Sequence, residues 1–453
     1  MLEDSIAFHR EKQEGGIFRP EKTTPPADEQ IRTRAVWAVE IYTPLHAAKL
    51  VERLRALGVD IDPTFERPTE YVRKGRSFPY GGAWINLGPF VPRDAEGLAF
   101  LGRIAADLPP GVTAAFPSVW TLTSSLTALV LQFVFEAERA EAVERVARRN
   151  DFEAQGRLLE RGGVSVAPPD MVKQRAVEDA RRELRAMPVD WIADKVPGAF
   201  SARGRSKMPT AELVTTEIAV PFAEEERKVG YMRLLGLGWD PAVWRSEEMK
   251  AWQLSFDRDD RCVTVAAKRS EVVASGQLEH RGDEGTWAMA GVANDYLQKD
   301  LTIWAAGRHL AECQERLSAI RDAERRLAAH WLPVGRLKKI GREFLRDSLD
   351  ARTAATELRQ LASDEKWFKR DAAEWIGVGP WAERDLLESF RRGMRQNAAA
   401  LISLEERVRE GLLVETTILA ALSNLRVQRW LLVFTVLAVV AAAVSLYVTL
   451  SSQ

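Results

Sequence analysis

The sequence predicts a mixed α/β body at the N-terminus, a bundle of long helices after it, and a single transmembrane helix at the C-terminus. Three observations predict this order. Between residues 33 and 280, β-type runs alternate with helical segments, whereas after residue 285 only helical periodicity remains. Residues 431–450 then form a run of 20 residues without a charged side chain.

Composition limits the classes of protein to which the chain can belong. With 453 residues, it has room for two or three domains of about 100–200 residues each. The formal net charge of −1 gives no overall attraction to nucleic acid, so we do not expect a nucleic-acid-binding protein. The two cysteines, Cys262 and Cys313, lie in different segments, which argues against a disulfide framework and for a reducing compartment.

The first 32 residues are predicted to form a disordered tail. They contain no apolar run, so they do not form a secretory signal. Pro20, Pro25 and Pro26 stand among many charged residues, a composition typical of a mobile segment.

The predicted body, residues 33–280, is a mixed α/β domain of one or two layers, with room for two subdomains. It opens with a strand over residues 35–42, and a helix follows from Pro44 to the residue before Gly58. Further strands are predicted over residues 83–90, 112–121, 126–135, 213–222, 252–256 and 262–267, the last two as a hairpin. Charged helices are predicted over residues 137–161 and 170–187.

Residues 285–429 are predicted to form a helical bundle and a stalk. Three long helical stretches cover residues 287–330, 336–375 and 382–429, and they are separated by Pro333 and by the Gly/Pro-rich residues 377–380. Short connections between long helices favour antiparallel neighbours.

The last of these stretches carries a heptad seam typical of a coiled coil. Its apolar residues are Leu387, Phe390, Met394, Leu401, Leu404, Val408, Ile418, Leu422 and Leu425. Polar residues or glycine interrupt the seam at Asn397, Gly411 and Glu415. The seam packs either against the two preceding helices of the same chain or in a symmetric coiled coil between chains, and periodicity does not decide between them.

The apolar run at residues 431–450 matches the ~20 residues that a helix needs to cross the hydrocarbon core of a bilayer. A buried core helix is the alternative. Arg426 and Arg429 precede the run, so the positive-inside rule places the N-terminal body in the cytoplasm and the C-terminus outside. The sequence therefore predicts a single-pass membrane protein.

One face of this membrane helix carries small residues at spacings of three and four. They are Thr435, Ala438, Ala442, Ser445 and Thr449. Small and hydroxylated faces let helices approach closely in lipid. The stripe therefore favours self-association over a plain anchor.

Sequence motifs for catalysis or cofactor binding are absent. There is no Gly-x-Ser-x-Gly elbow and no His-Glu-x-x-His pair, so no catalytic residue and no cofactor is predicted. His309 and Cys313, at positions i and i+4 of a predicted helix, are the candidate metal ligands. No third ligand is evident near them in the sequence, so packing residues are the favoured interpretation.

The membrane junction LSNLRVQRWLLVFTV at residues 422–436, together with a mixed α/β domain and a stalk helix that continues into the membrane, resembles the CorA-type divalent-cation channel superfamily. The resemblance implies a homopentamer whose stalk helices line a pore, with a divalent cation as ligand. The Gly-Met-Asn signature of that family is absent, since residues 446–450 read LYVTL, and a second membrane helix is also missing. Magnesium selectivity is therefore not implied.

The leading hypothesis is a homo-oligomeric, CorA-like membrane protein with a cytoplasmic sensing or binding domain and ion permeation. The alternative is a membrane-tethered scaffold or adaptor that conducts nothing and recruits a protein partner. In both hypotheses the lipid bilayer is a partner.

Overall fold

The computed structural model describes most of the chain in twelve segments. They are residues 23–59, 68–76, 83–94, 103–158, 164–225, 229–238, 243–256, 261–281, 285–328, 334–370, 372–378 and 382–451. The chain divides into two compact units. The sheet unit comprises Met1–His309 and Thr356–Asn397, and the helical unit comprises Leu310–Ala355 and Ala398–Gln453.

The sheet unit contains a mixed sheet of eleven strands and a separate hairpin. The strands are β1 (Arg32–Tyr42), β2 (Ala83–Asn86), β3 (Phe90–Pro92), β4 (Ile104–Ala106), β5 (Val112–Thr121), β6 (Thr127–Phe135), β7 (Gln155–Leu158), β8 (Val164–Ala167), β9 (Thr210–Thr216), β10 (Val243–Ser246), β11 (Trp252–Phe256), β12 (Cys262–Lys268) and β13 (Trp375–Gly377). The sheet order is β13-β10-β11-β12-β9-β1-β6-β5-β3-β4, with β2 also paired to β5, while β7 and β8 form the hairpin. The pairs β9–β12 and β3–β4 are parallel and the others are antiparallel.

Eleven α-helices lie in the described part of the chain. They are α1 (Pro44–Ala56), α2 (Pro68–Gly75), α3 (Ala137–Ala140), α4 (Ala142–Arg148), α5 (Pro169–Lys195), α6 (Gly230–Leu234), α7 (Arg269–Ala274), α8 (Thr286–Ala328), α9 (Val334–Leu361), α10 (Glu365–Lys369) and α11 (Leu386–Ser451). Helices α8, α9 and α11 each begin in one unit and end in the other.

The central strands β1 and β6 are covered on both faces. Every residue of β6 is buried, as is typical of strands with helices on both sides. Trp37 and Gln132 are register partners and so share one face, and their side chains donate to Asn294 Oδ1 and to the Ala290 carbonyl of α8. Glu212 points to the other face, where it binds Arg181 of α5.

Several predicted elements are confirmed. The strand at 35–42 and the helix after Pro44 correspond to β1 and α1. The predicted hairpin corresponds to β11 and β12, which pair antiparallel. At the coarser level, the structure has a large mixed sheet domain, long helices after it and one candidate apolar C-terminal helix.

Two predicted helices are too long. The helix predicted over 137–161 ends at Arg148, because the backbone turns extended at Arg149, whose guanidinium binds Asp151. The helix predicted over 336–375 ends at Leu361, and Asp364 caps the short helix α10 that follows. Strand β13 then pairs with β10, a non-local contact that helical periodicity after residue 287 does not reveal.

The prediction of a disordered tail over residues 1–32 is corrected for its last part. Residues 1–22 lie outside the described part of the chain. Beyond them, Glu29 is fully buried, and its carboxylate accepts hydrogen bonds from the backbone N–H groups of residues 217–219 and from the Tyr231 hydroxyl. Arg148 also donates to the Glu29 carbonyl at 2.6 Å. These bonds fix the segment that leads into β1.

The predicted domain boundary between 33–280 and 285–429 does not coincide with the division into compact units. The first half of α8 belongs to the sheet unit, because its residues satisfy Trp37 and Gln132 on β1 and β6. Residues 356–397, which include β13, also belong to the sheet unit.

A buried carboxylate on β1 organises the turn after α5. Glu40 is fully buried and accepts hydrogen bonds from the backbone N–H groups of Phe200 at 2.7 Å and Ser201 at 2.8 Å, and from the Ser201 hydroxyl. Burial raises the pKa of Glu40, although these hydrogen bonds act against the rise. Gly198 lies so close that a Cβ there would stand 2.6 Å from the Ile41 carbonyl oxygen and 2.7 Å from Glu40 Cγ.

We predict that Gly198→Ala lowers the free energy of unfolding by about 1–3 kcal/mol, the usual cost of overpacking. The matched control is Gly307→Ala in α8, where no atom apart from the adjoining residues and the backbone of α8 itself lies within 4 Å of the added methyl group. This control should raise stability by up to about 1 kcal/mol, because alanine favours helix over glycine. Urea titration followed by tryptophan fluorescence measures both. A Gly198→Ala variant as stable as the parent would contradict the close packing at Glu40.

Candidate functional site: the stalk and the membrane helix

The candidate site is α11, which runs as one helix of 66 residues from Leu386 to Ser451. At ~1.5 Å per residue this amounts to about 100 Å of helix. Its start is capped, because the Asp385 carboxylate accepts a hydrogen bond from the Leu387 backbone N–H at 2.8 Å. No proline interrupts it. We use "stalk" for the part of α11 that precedes the apolar segment.

The seam residues of the stalk are buried within the single chain over its first half. In the sheet unit, Leu387 and Met394 are buried, and the half-buried Phe390 ring meets the Phe256 ring edge-on at 5.8 Å. In the helical unit, the buried seam residues are Leu401, Leu404 and Val408. From Leu387 to Val408 the apolar seam residues are therefore buried or half-buried within the single chain.

The second half of the seam differs. Leu425 is 52% exposed. Two other apolar residues of the stalk, Leu413 and Val414, are 59% and 58% exposed. The side chains of Ile418 and Leu422 lie outside the described set. In this part of α11, the large apolar side chains whose exposure the structure describes, Leu413, Val414 and Leu425, are therefore not covered by the rest of the chain.

Charged side chains join the helices of the helical unit. Arg316 of α8 pairs with Asp347 of α9, and Arg352 of α9 pairs with Glu405 of α11 at 2.9 Å. Glu405 is fully buried and also binds Arg409, one turn further along α11. A buried carboxylate is stable only with such partners.

The structure explains why a glycine, Gly411, interrupts the seam. A Cβ at this position would collide with the carboxylate of Glu324 on α8. Glu324 is itself buried. Glycine therefore leaves the space that a buried glutamate occupies between α8 and α11.

We predict that Glu405→Gln destabilises the helical unit by about 1–3 kcal/mol, because it removes the charge that pairs with Arg352 and Arg409. Glu406→Gln is the matched control, since Glu406 is 51% exposed in side chain and pairs with Arg352 only at 3.4 Å. The control should change stability by less than about 0.5 kcal/mol. Thermal denaturation of the detergent-solubilised protein measures both. Equal effects of the two variants would rule out a special role for the buried charge.

The apolar end of α11 is a candidate membrane span by length and composition. Among the described residues, Val427–Ser445 is the one segment that meets this criterion, with a mean hydropathy of 2.1. None of it is buried in the chain, which argues against the alternative of a core helix. The predicted span at 431–450 thus overlaps this segment along most of its length.

The small-residue stripe lies on exposed helix surface. Thr435, Ala438, Ala442 and Ser445 are all exposed, while the side chain of Thr449 lies outside the described set. The Thr435 hydroxyl donates to the Leu431 carbonyl at 2.7 Å, so its polarity is satisfied within the helix. Large exposed residues such as Leu432 and Val436 occupy other faces.

The candidate metal ligands do not form a metal centre. His309 is fully buried, with the Phe200 ring edge-on at 6.0 Å and the Arg203 guanidinium 3.4 Å from Nδ1. Cys313 is a buried free thiol. No group of three or more His, Cys, Asp or Glu residues that could hold a metal ion exists in the part of the chain that the structure describes.

Two other polar features also lack the geometry of a reactive site. Burial raises the pKa of the Cys262 thiol to about 11, so it is protonated and a poor nucleophile at neutral pH. A pocket of about 550 Å³ lies between the β5–β6 loop and the end of α9. The Glu357 carboxylate in this pocket accepts hydrogen bonds from Ser124 and Ser125 and so holds them in place.

Fold and site together describe a protein with a large sheet unit, a helical unit and one candidate transmembrane helix. No protein-family model matches the chain. No curated protein matches it. No solved structure matches it either.

Proposed function

We propose that the chain is a homo-oligomeric membrane protein of CorA-like arrangement, in which the cytoplasmic sheet unit binds or senses a ligand and α11 carries the resulting state to the bilayer. The observation that supports this most directly is the continuity of α11. One capped helix without proline begins beside the last strand of the sheet and includes the apolar span.

The orientation rests on the charges at the start of the span. Arg426 and Arg429 precede most of the apolar residues, and Trp430 lies beside them. Arginine on one side of a span keeps that side in the cytoplasm, and tryptophan favours the interface. The whole sheet unit, and the helical unit as far as residue 425, are N-terminal to these arginines, so we assign these residues to the cytoplasm.

This orientation predicts that protease added to intact cells leaves the N-terminal body undigested. The control is a sample permeabilised with detergent, in which the same protease should cleave the body at its exposed loops. Immunoblotting against an N-terminal tag reports both. Digestion in intact cells would reverse the orientation.

Self-association is supported by the exposed stripe of small residues on the membrane helix. In lipid, apolar side chains gain little from contact with each other, so helices associate where small residues permit close packing. Ala438 and Ala442 lie one turn apart at the centre of this stripe. A ring of such helices is also what ion permeation would require, and the CorA resemblance implies five.

We predict that the double substitution Ala438→Leu and Ala442→Leu weakens self-association and leaves membrane insertion intact, because the added branches push neighbouring helices apart while hydrophobicity rises. The matched control is Val436→Leu and Val440→Leu, which adds volume on a different, exposed face. Cross-linking in membranes reports association, and carbonate extraction reports insertion. If both double variants and the parent cross-link equally, the small-residue stripe of the membrane helix is not the contact surface.

The second candidate function is a scaffold that recruits a protein partner and conducts nothing. Leu345 and Leu349 favour it, because they lie one turn apart on α9 and are 69% and 70% exposed. The oligomeric state of the full-length protein in detergent separates the two functions. A closed ring supports the first, especially if liposomes that contain it pass divalent cations, and a monomer supports the scaffold.

A further inference from the structure

Strand β13 connects the sheet to the start of α11. It is the edge strand, paired with β10 through Trp244, Arg245 and Ser246. The chain then returns on itself, because Ile376 bridges to Asp385 and the Gly377 N–H donates to the Arg384 carbonyl at 2.9 Å. Since Asp385 caps α11, the first turn of this helix is tied to β13.

Two consecutive residues of α8, Lys299 and Asp300, also bind the segment that connects α9 to α11. The Lys299 ammonium donates to the carbonyls of Trp367 and Arg370 and lies 4.9 Å from the Trp367 ring centre. The Asp300 carboxyl Oδ2 accepts a hydrogen bond from the Trp375 indole N–H at 2.9 Å. Trp375 is fully buried, so its position fixes that of β13.

Asp300 is poorly solvated for a carboxylate. It is 3% exposed, and no group in the described part of the chain donates to its Oδ1. The charged groups that act on it are Lys299 of α8, Asp385 at the start of α11 and Glu248 in the turn after β10. Burial raises the pKa of Asp300 to about 8, Asp385 and Glu248 add to the rise, and the Trp375 hydrogen bond and Lys299 oppose it.

We propose that Asp300 is a proton-controlled latch: in its neutral form it holds β13 and the first turn of α11 against α8, and loss of the proton favours their release. The closed state binds the proton more tightly than the open state, in which Asp300 meets water and its pKa returns to about 4. The proton therefore stabilises the closed state fully when the pH is below the pKa of the open state, and this stabilisation is lost as the pH rises. The opening constant grows about tenfold per pH unit until the pH exceeds the pKa of the closed state.

Hydrogen–deuterium exchange of the full-length protein in detergent micelles tests the latch. Peptides that cover residues 372–378 and 386–393 are followed at about pH 5.5 and about pH 7.5, with rates corrected for intrinsic chemical exchange. We expect the opening constant of these peptides to rise about hundredfold between the two conditions. A peptide from β6 is the internal reference and should not change. Equal corrected protection of the β13 peptides at both pH values would overturn the latch.

Three variants locate the titrating group. Asp300→Asn keeps the shape and removes the proton equilibrium, so its protection should be the same at both pH values. Glu248→Gln is the matched control, because it removes a nearby exposed acid and should keep the rise of the parent. Trp375→Phe removes the donor to Asp300 and should raise opening at both pH values. A parent-like rise in Asp300→Asn would assign the titration elsewhere and end the proposal, and if that variant does not fold, the profile of the parent decides.

Discussion

The need to cover both faces of the central strands determines much of the sheet unit. Strands β1 and β6 carry apolar side chains on both faces, so each face requires a helix. The polar residues among them show where the helices lie, because a buried polar group must find a partner. Trp37 and Gln132 bind α8, while Glu212 binds Arg181 of α5.

The buried pair of Glu212 and Arg181 makes the position of α5 specific. Burial alone would raise the pKa of Glu212, but Arg181 and Arg185 outweigh it and hold this pKa below its usual value. Arg181 also donates to the Thr264 hydroxyl at 2.9 Å and to the Leu235 carbonyl at 2.6 Å. One guanidinium thus joins α5, β9, β12 and the turn after α6, and no apolar residue could replace all these bonds.

Sequence periodicity predicted those elements whose burial follows a local pattern. Strands β5 and β6 have long β-type runs, and α1 has a proline at its start and a glycine after its end. Strand β13 has only three residues, and it exists because it pairs with β10, which is distant in sequence. No local pattern encodes that pairing, so no strand was predicted there: the predicted helix ended at residue 375, and residues 377–380 were predicted to separate it from the next helix. The strand order was unpredictable for the same reason.

The candidate site was predictable to a similar degree. Heptad spacing identified the seam of α11. The heptad pattern does not identify the buried ion pair of Glu405, although this residue directly follows the seam residue Leu404. Spacing could not show which apolar residues pack inside the chain, because Leu404 and Leu425 lie three heptads apart and occupy the same heptad position. Leu404 is nevertheless buried, whereas Leu425 is exposed.

The surroundings of α11 change along its length, from buried positions in the folded body to exposed positions in the candidate membrane span. Its first turns pack in the sheet unit, and its middle packs in the helical unit through Leu401 and Val408. From Leu413 to Val444, the apolar side chains that the structure describes are exposed. Backbone hydrogen bonds within a helix remain satisfied in all three surroundings, so only the side chains must change. The buried charged residue Glu405 lies in the part with protein partners, whereas residues 430–451 contain no charged side chain and consist mostly of Leu, Val, Phe and small residues that lipid tolerates. The side-chain sequence of α11 thus separates a segment that packs in the folded body from a segment whose length and composition suit a membrane span.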